Sequence, residues 1–273
     1  MAINIYQIFY NQQTFEMLDK GFIPLDNSKS ERPDWFEFWP IRKFLKENTL
    51  NEDSWYGFLS PKFVGKTGFT SQVMKDFIGQ NPNAEVALFT STWDFIAYYK
   101  NAFEQGEVWH EHITKVAQAF FDSIGYKVNL EALVHHSQNS VTSNYVIAKP
   151  RYWRRWLEFA DRLLFVSETE TPLGGILRGD TTYGPKRHAF KVFIQERLAP
   201  VILATEKYNV IAPDQSAYRP LFENLFYTNH RTRRTLQACD LLKEQYCATG
   251  DEAYLNAYYK LKASIPIKPT RFR

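Results

Sequence analysis

The chain has little cysteine, little glycine and almost no net charge. Its 273 residues include two cysteines, Cys239 and Cys247, too few for a disulfide scaffold or an all-cysteine zinc site. Twelve glycines and 13 prolines exclude collagen-like and linker-dominated architectures, and 44% apolar residues exclude a disordered chain. Thirty-three Lys and Arg against 30 Asp and Glu leave a formal charge of only +3. That balance argues against a polybasic nucleic-acid coat, whose affinity comes from many released counterions. The clean apolar runs, such as Ala199–Leu203, fall far short of the roughly 20 residues that cross a bilayer. The opening MAINIYQIFYNQQTF has neither the basic start nor the apolar stretch of a secretory signal. A soluble protein of the reducing cytoplasm is the expectation.

What is abundant is aromatic. Seven Trp, 16 Tyr and 22 Phe make up 16% of the chain, which at this length means a large core or an adhesive surface. The periodicity favours the core. Ile3–Tyr10, Phe22–Leu25, Trp55–Leu59, Glu85–Thr90, Val141–Ala148 and Tyr208–Ile211 read as strands, rich in β-branched and aromatic residues. Helical periods run over Trp35–Leu45, Thr70–Ile78, Thr114–Ile124, Tyr152–Phe165, His188–Ala204, Arg231–Tyr246 and Glu252–Lys262. Thr70 is a cap for the second of these, and Gly125 a stop for the third. Ser167–Arg187, rich in Gly, Thr and Pro, reads as a long binding loop or lid.

Strands alternating with helices predict an α/β fold with a mostly parallel sheet. Ligands then bind outside the carboxyl ends of the strands, here Tyr10-Asn11, Asp26-Asn27, Ser60–Lys62, Thr90–Thr92 and Lys149. The sequence has no GxGxxG, no GxSxG and no complete P-loop, since Ser60 stands where the first glycine before Gly65-Lys66-Thr67 is required. His110, His112, His135 and His136 lack the partners that complete a metal pattern, and surface or capping roles suit them better. Arg151, Arg154 and Arg155, interleaved with Tyr152, Trp153 and Trp156, form either a solvated helix face over core aromatics or a peripheral membrane contact. With Arg231–Arg234 the same cluster could bind single-stranded nucleic acid, but the overall charge balance points to no nucleic-acid partner.

Four segments taken in order resemble bacterial glycosyltransferases of the GT-A type encoded in capsule and lipopolysaccharide gene clusters. They are IYQIFYN with FIPLDN, ERPDWFEFWPIRKFL leading to WYGFLSPKF, SNYVIAKPRYWRRWLEF, and KVFIQERLAPVIL followed by YNVIAPDQS. The resemblance implies a single Rossmann-like, nucleotide-sugar-binding domain over residues 1–216 with a helical C-terminal extension over 217–273 packed on it. It implies a glycosyltransferase that moves a sugar from a nucleotide-activated donor to a hydroxyl of a glycan or glycolipid, working in the cytoplasm or at the inner face of the membrane. The alternative is a non-catalytic glycan-binding or scaffold protein on the same fold.

On that pattern Tyr10, Asn11, Asp26, Asn27, Ser60 and Lys62 bind the nucleotide sugar, with Asp26 either a ribose or base partner or an ordinary Asx turn. Metal-dependent members carry an Asp-x-Asp where this chain has Ser60-Pro61-Lys62. A divalent metal is therefore absent or held elsewhere, Asp180 and Asp214 being the loop carboxylates in suggestive settings. Lys62 would meet the diphosphate as a point charge, and Arg178, Lys186 and Arg187 would close over it. An inverting transfer needs a carboxylate base. Glu196, in an apolar helix segment beside Arg197, is either that base or half of a structural ion pair, and Asp214 is the second candidate. Asn144 and Tyr145 fall on the acceptor side, where Tyr145 is either a contact or a core aromatic. Trp93 and Tyr183 also fall near the edges of the expected site.

Overall fold

The computed structural model describes residues 2–181 and 188–268. Six strands form one sheet: β1 (Ile3–Phe9), β2 (Ile23–Asp26), β3 (Trp55–Leu59), β4 (Val86–Leu88), β5 (Val146–Ala148) and β6 (Val210–Ile211), in the order β2-β1-β3-β5-β4-β6. β1 pairs in parallel with β2 and β3, and β4 with β6. β5 runs antiparallel to both β3 and β4, so the sheet is mixed. The expected parallel fifth strand is thus reversed. Its three residues Val146, Ile147 and Ala148 are buried on both faces, and such a run reads the same in either direction. The expected strand over Val141–Ala148 also shortens, because Ser143 takes a positive φ of 61° that no strand accommodates.

The sheet is apolar on both sides because both are covered. All five residues of β3 are buried. Gly57 in that strand is required by close approach: a Cβ there would sit 2.4 Å from Ile147 Cδ1. On one side lies the long Pro150–Glu168 helix, whose buried Tyr152, Trp153, Trp156, Phe159, Ala160 and Leu163 recur at helical spacing. Trp153 donates its indole N–H to the Tyr56 carbonyl at 2.9 Å and meets Phe58 edge-on at 4.9 Å. The neighbouring arginines point to acids: Arg151 to Glu85 at 2.8 Å, Arg154 to Glu52 at 2.5 Å, and Arg155 to Glu158 at 2.6 Å. The basic–aromatic strip therefore divides into core aromatics and ion-paired arginines. Among the described residues no helix is long and apolar enough to cross a membrane.

The segment between β4 and β5 carries the Trp93–Tyr98, Ala102–Glu107 and Ile113–Ser123 helices, the first two unread in the sequence. The Trp93–Tyr98 helix builds a second core with the C-terminal helices His230–Thr249 and Glu252–Ser264, through Trp93, Phe95, Tyr99, Leu236, Cys239 and Tyr258. Tyr258 fixes the contact by donating to the Tyr98 carbonyl at 2.8 Å. Lys243, fully buried, donates to the carbonyls of Ile96 and Tyr99, placing a cation at the C-terminal end of that helix.

Two further expectations change. The supposed loop Ser167–Arg187 contains a helix, Pro172–Arg178. The continuous helix expected over His188–Ala204 is two, Phe190–Gln195 and Leu198–Thr205. Pro200 explains the break. Its ring excludes the carbonyl four residues earlier, that of Glu196, so one helix must end there and another begin.

Candidate functional site

β1 leads to β2 on one side of the sheet, whereas β3, on the other side of β1, leads away to β4. Adjacent strands whose connections diverge leave a crevice at their carboxyl ends. Here it opens beyond Phe9 and Leu59, at Tyr10 and Ser60. The reversed β5 brings its starting end to this same edge. Asn144 and Tyr145 therefore join the crevice, while Lys149 is carried to the opposite edge, where its ammonium binds the Asp53 carbonyl at 2.8 Å. Lys149 is thereby removed from the predicted strand-end set.

Tyr145 anchors the polar groups at this edge. Its hydroxyl hydrogen-bonds Ser60 Oγ at 3.0 Å, and burial pushes its pKa up to about 12, with Glu37 and Glu196 adding to the rise. Gln7 braces the turn behind Ser60 by donating to the Ser60 and Pro61 carbonyls. The Tyr10 hydroxyl is buried with no partner that meets hydrogen-bond geometry, and burial followed by the adjacent Glu37 carboxylate raises its pKa strongly. Asn144 donates to Gln195 at 2.8 Å, tying the start of β5 to the end of the Phe190–Gln195 helix, and its own carbonyl oxygen is buried without a partner.

Glu196 sits in the break made by Pro200. Burial raises its pKa to about 7; Arg197 opposes this, Glu37 adds to it and Lys66 opposes it. Of the two sequence readings, the structural ion pair is absent. Arg197, itself buried, donates to the Ala102 carbonyl at 3.0 Å, the Phe193 carbonyl at 2.9 Å and Gln105 Oε1 at 3.0 Å. No ion pair joins it to Glu196 among the described residues. What remains is a half-buried carboxyl, pushed by burial up to about 7 and close enough to Tyr145 and Glu37 to act on them electrostatically; a pKa in that range is what a general base requires.

Glu37 was not anticipated. It lies between the Pro33–Trp35 turn and the Phe38–Glu47 helix, where one continuous helix was expected. Phe36 holds a φ of 47°, a costly conformation for a bulky residue, and this turn delivers Glu37 to Tyr10. The available signal was an acid set among aromatics in WFEFWP.

Other expected residues are engaged locally. Asn11 caps the Gln12–Glu16 helix in a reciprocal box with Thr14. Asp26 accepts from the Ser28 N–H at 2.7 Å, an Asx turn that also lowers its pKa. Asp26 and Asn27 nevertheless line a hollow of about 480 Å³ with Lys29, Trp39 and Lys43, within the size range of ligand sites. The Asn27 N–H binds the Phe9 carbonyl at 2.9 Å, so this hollow abuts the crevice. Lys62 is exposed at the β3 end. Asp214 turns onto the Ser216 N–H at 2.8 Å near the end of β6, away from the Tyr145 cluster. Asp180 is exposed, in an isolated bridge to Ala189. Arg178 donates to the Ser167 and Thr169 carbonyls, closing the end of the Pro150–Glu168 helix rather than facing the crevice. Tyr183, Lys186 and Arg187 lie outside the described residues.

His110, His135 and His136, expected at the surface or as caps, are instead buried, whereas His112 is exposed at the start of its helix. His135 accepts from the Ala102 N–H at 3.0 Å and His110 contacts Thr181 at 3.3 Å, with burial lowering the pKa of each to about 3. Among the described residues no three His, Cys, Asp or Glu converge to hold a metal ion. Compared with protein-family models, curated proteins and solved structures, the chain matches none.

Proposed function

We propose that the chain is a glycosyltransferase taking a sugar from a nucleotide-activated donor to a hydroxyl of a glycan or glycolipid in surface polysaccharide synthesis. The observation that carries the reading is Glu196: a carboxyl raised to about 7, without an ion pair, in the crevice where strand connections diverge. Its ionised form accepts the proton of the acceptor hydroxyl as that oxygen attacks the anomeric carbon. Asn144 and Tyr145 flank the acceptor. The hollow beside Asp26, Asn27 and Trp39 suits a nucleoside, its carboxylate accepting from ribose hydroxyls. Lys62 and Lys66 supply point charges for a diphosphate on the crevice side of β3.

The engagement of Asn11, Asp26 and Asp214 in caps and turns favours a second reading, a glycan-binding protein without turnover. Calorimetry with uridine, guanosine and cytidine nucleotides separates the two. Saturable heat from one nucleotide, weakened by Asp26→Ala and by Lys62→Ala, supports the transferase. Glycan binding with no nucleotide binding supports the second reading, and silence from the whole nucleotide panel overturns the first.

A further inference from the structure

Lys191 is a cation that its own helix does not call for. It lies in the first turn of the Phe190–Gln195 helix, the end at which the helix dipole disfavours positive charge, and it is only 4% exposed. A lysine so deeply buried needs a partner to keep its charge inside the fold. Its ammonium donates to Asp34 Oδ2 at 2.5 Å and lies 4.4 Å from the centre of the Trp35 ring. Arg32 grips both oxygens of Asp34 at 2.9 Å and reaches Glu168 at 2.7 Å. Burial alone would raise the Asp34 pKa, but the bonds from Arg32 and Lys191 outweigh it and hold it at about 2. Beside them His188 meets Phe36 edge-on at 5.3 Å. Asp34, Trp35 and Phe36 therefore each touch the segment from His188 to Lys191.

These contacts join the two segments that bring carboxylates to the crevice. Asp34, Trp35 and Phe36 lead directly into Glu37, through a φ of 47° at Phe36 that costs a bulky residue energy. Trp35 is fully buried and stacks on Phe38 at 4.3 Å, which anchors the turn to the core. The ion pair adds a direction, because it ties the turn to one particular helix. That helix starts beside Lys191 and ends at Gln195, which accepts from Asn144 at 2.8 Å, with Glu196 next in the chain. Glu37 stands beside Tyr10 and acts electrostatically on Tyr145 and Glu196.

We propose that Lys191 and Asp34 are positioning residues: their ion pair holds the strained turn against the Phe190–Gln195 helix and so fixes Glu37 relative to Glu196. Their role rests on the reading of Glu196 as the base. The charges that act on Glu196 are those of Arg197, Glu37 and Lys66, with the Tyr145 hydroxyl nearby. Lys191 acts through the placement of Glu37 rather than by its own charge. The two routes differ in sign. Loss of a cation raises the pKa of a neighbouring carboxyl, whereas withdrawal of the Glu37 carboxylate lowers that of Glu196.

A carbon-13 NMR titration of the full chain, labelled at its glutamate carboxyls, tests the proposal. Glu196 is assigned by the signal lost in Glu196→Gln. Lys191→Met is expected to move the Glu196 titration down by about one pH unit, and Glu37→Gln to move it the same way. Lys191→Met made in the Glu37→Gln chain should add nothing, because both changes act through one carboxylate. Methionine keeps a stem against Trp35 and Asp34 keeps Arg32, so the fold should survive, with melting temperature as the check. If Lys191→Met does not fold, Asp34→Asn, altered at a half-exposed side chain, is read in its place. Its downward movement must likewise vanish in the Glu37→Gln chain, where a direct charge effect would persist. The proposal falls if Glu196 titrates unchanged or higher in the clamp variant, or if the movement survives the loss of Glu37. The titration needs no donor or acceptor, so it can fail while transferase activity stands, and succeed where no nucleotide binds.

Discussion

At the β1–β3 end of the sheet edge, Glu37 and Glu196 share their surroundings with Lys66 and Arg197. At the β4–β6 end, Asp214, Asp240 and Glu244 line a cavity without a lining cation, and Lys243 behind them holds a helix end instead. Both recesses raise carboxyl pKa values by burial, but to different ends. The mixed-charge crevice can bring one carboxyl to neutrality while cations remain for an anionic ligand. The acidic cavity has three carboxylates and no lining cation. The same sheet edge thus carries opposite charge balances at its two ends, because the local field is set by which charges the fold leaves uncommitted.

The largest effect separating the two recesses is expected from Glu196→Gln. Turnover should fall by about 10²–10⁴-fold while nucleotide binding persists, measured by steady-state assay and calorimetry. Retained turnover would remove the crevice from the chemistry. The pH dependence sharpens this. The folded protein holds the Glu196 proton up to about pH 7, whereas the ordinary value is 4.5, so between those pH values the folded state binds more protons than the unfolded one. Stability from this group is therefore full below about pH 4.5 and lost as pH rises through 7, by no more than about 3 kcal/mol. Activity, which needs the ionised base, should rise through the same window. Glu196→Gln should abolish both trends in denaturant melts and rate profiles.

Lys243→Met is next, with an expected loss of about 3 kcal/mol in urea unfolding, because two buried carbonyls lose a charged donor. Lys243 also has the opposite pH signature. Burial lowers its pKa to about 8 from 10.5, so the unfolded state binds more protons between those values and stability from this group rises with pH there. A variant that leaves stability and its alkaline slope unchanged would break the contrast between the two ends of the edge.

The smallest effects come from the two crevice tyrosines. Tyr145→Phe removes the bond to Ser60 and should cost about 1 kcal/mol. Tyr10→Phe removes a buried hydroxyl that lies beside Glu37 without meeting hydrogen-bond geometry and should be neutral or stabilising by up to about 1 kcal/mol. If both cost the same, the Tyr10 hydroxyl is hydrogen-bonded to Glu37 as firmly as Tyr145 is to Ser60.

Much of the framework is legible in local residues. Trp55–Leu59 forms a strand over its whole predicted length, Thr70 caps its helix by accepting from the Val73 N–H, and Gly125 stops another at a φ of 71°. Propensity and capping act over a few residues, so a few residues reveal them. The site was legible only in part. Tyr10, Ser60, Asn144, Tyr145 and Glu196 were all marked and do share one edge, yet nothing local marked the Glu37 contact or the direction of β5. Pro200 did carry a readable signal for the helix break in which Glu196 sits.

The sequence by itself determined the α/β class, the aromatic core and the positions of most strands and helices, because side-chain periodicity and backbone sterics are local properties. Tertiary structure alone decided that β5 runs backwards, that Asn144 rather than Lys149 reaches the carboxyl edge, and that Arg197 leaves Glu196 unpaired. Those outcomes depend on which distant groups satisfy each buried charge and each strand edge. That competition is settled only when the whole chain is packed, since three apolar residues pair equally well in either direction until their neighbours are in place.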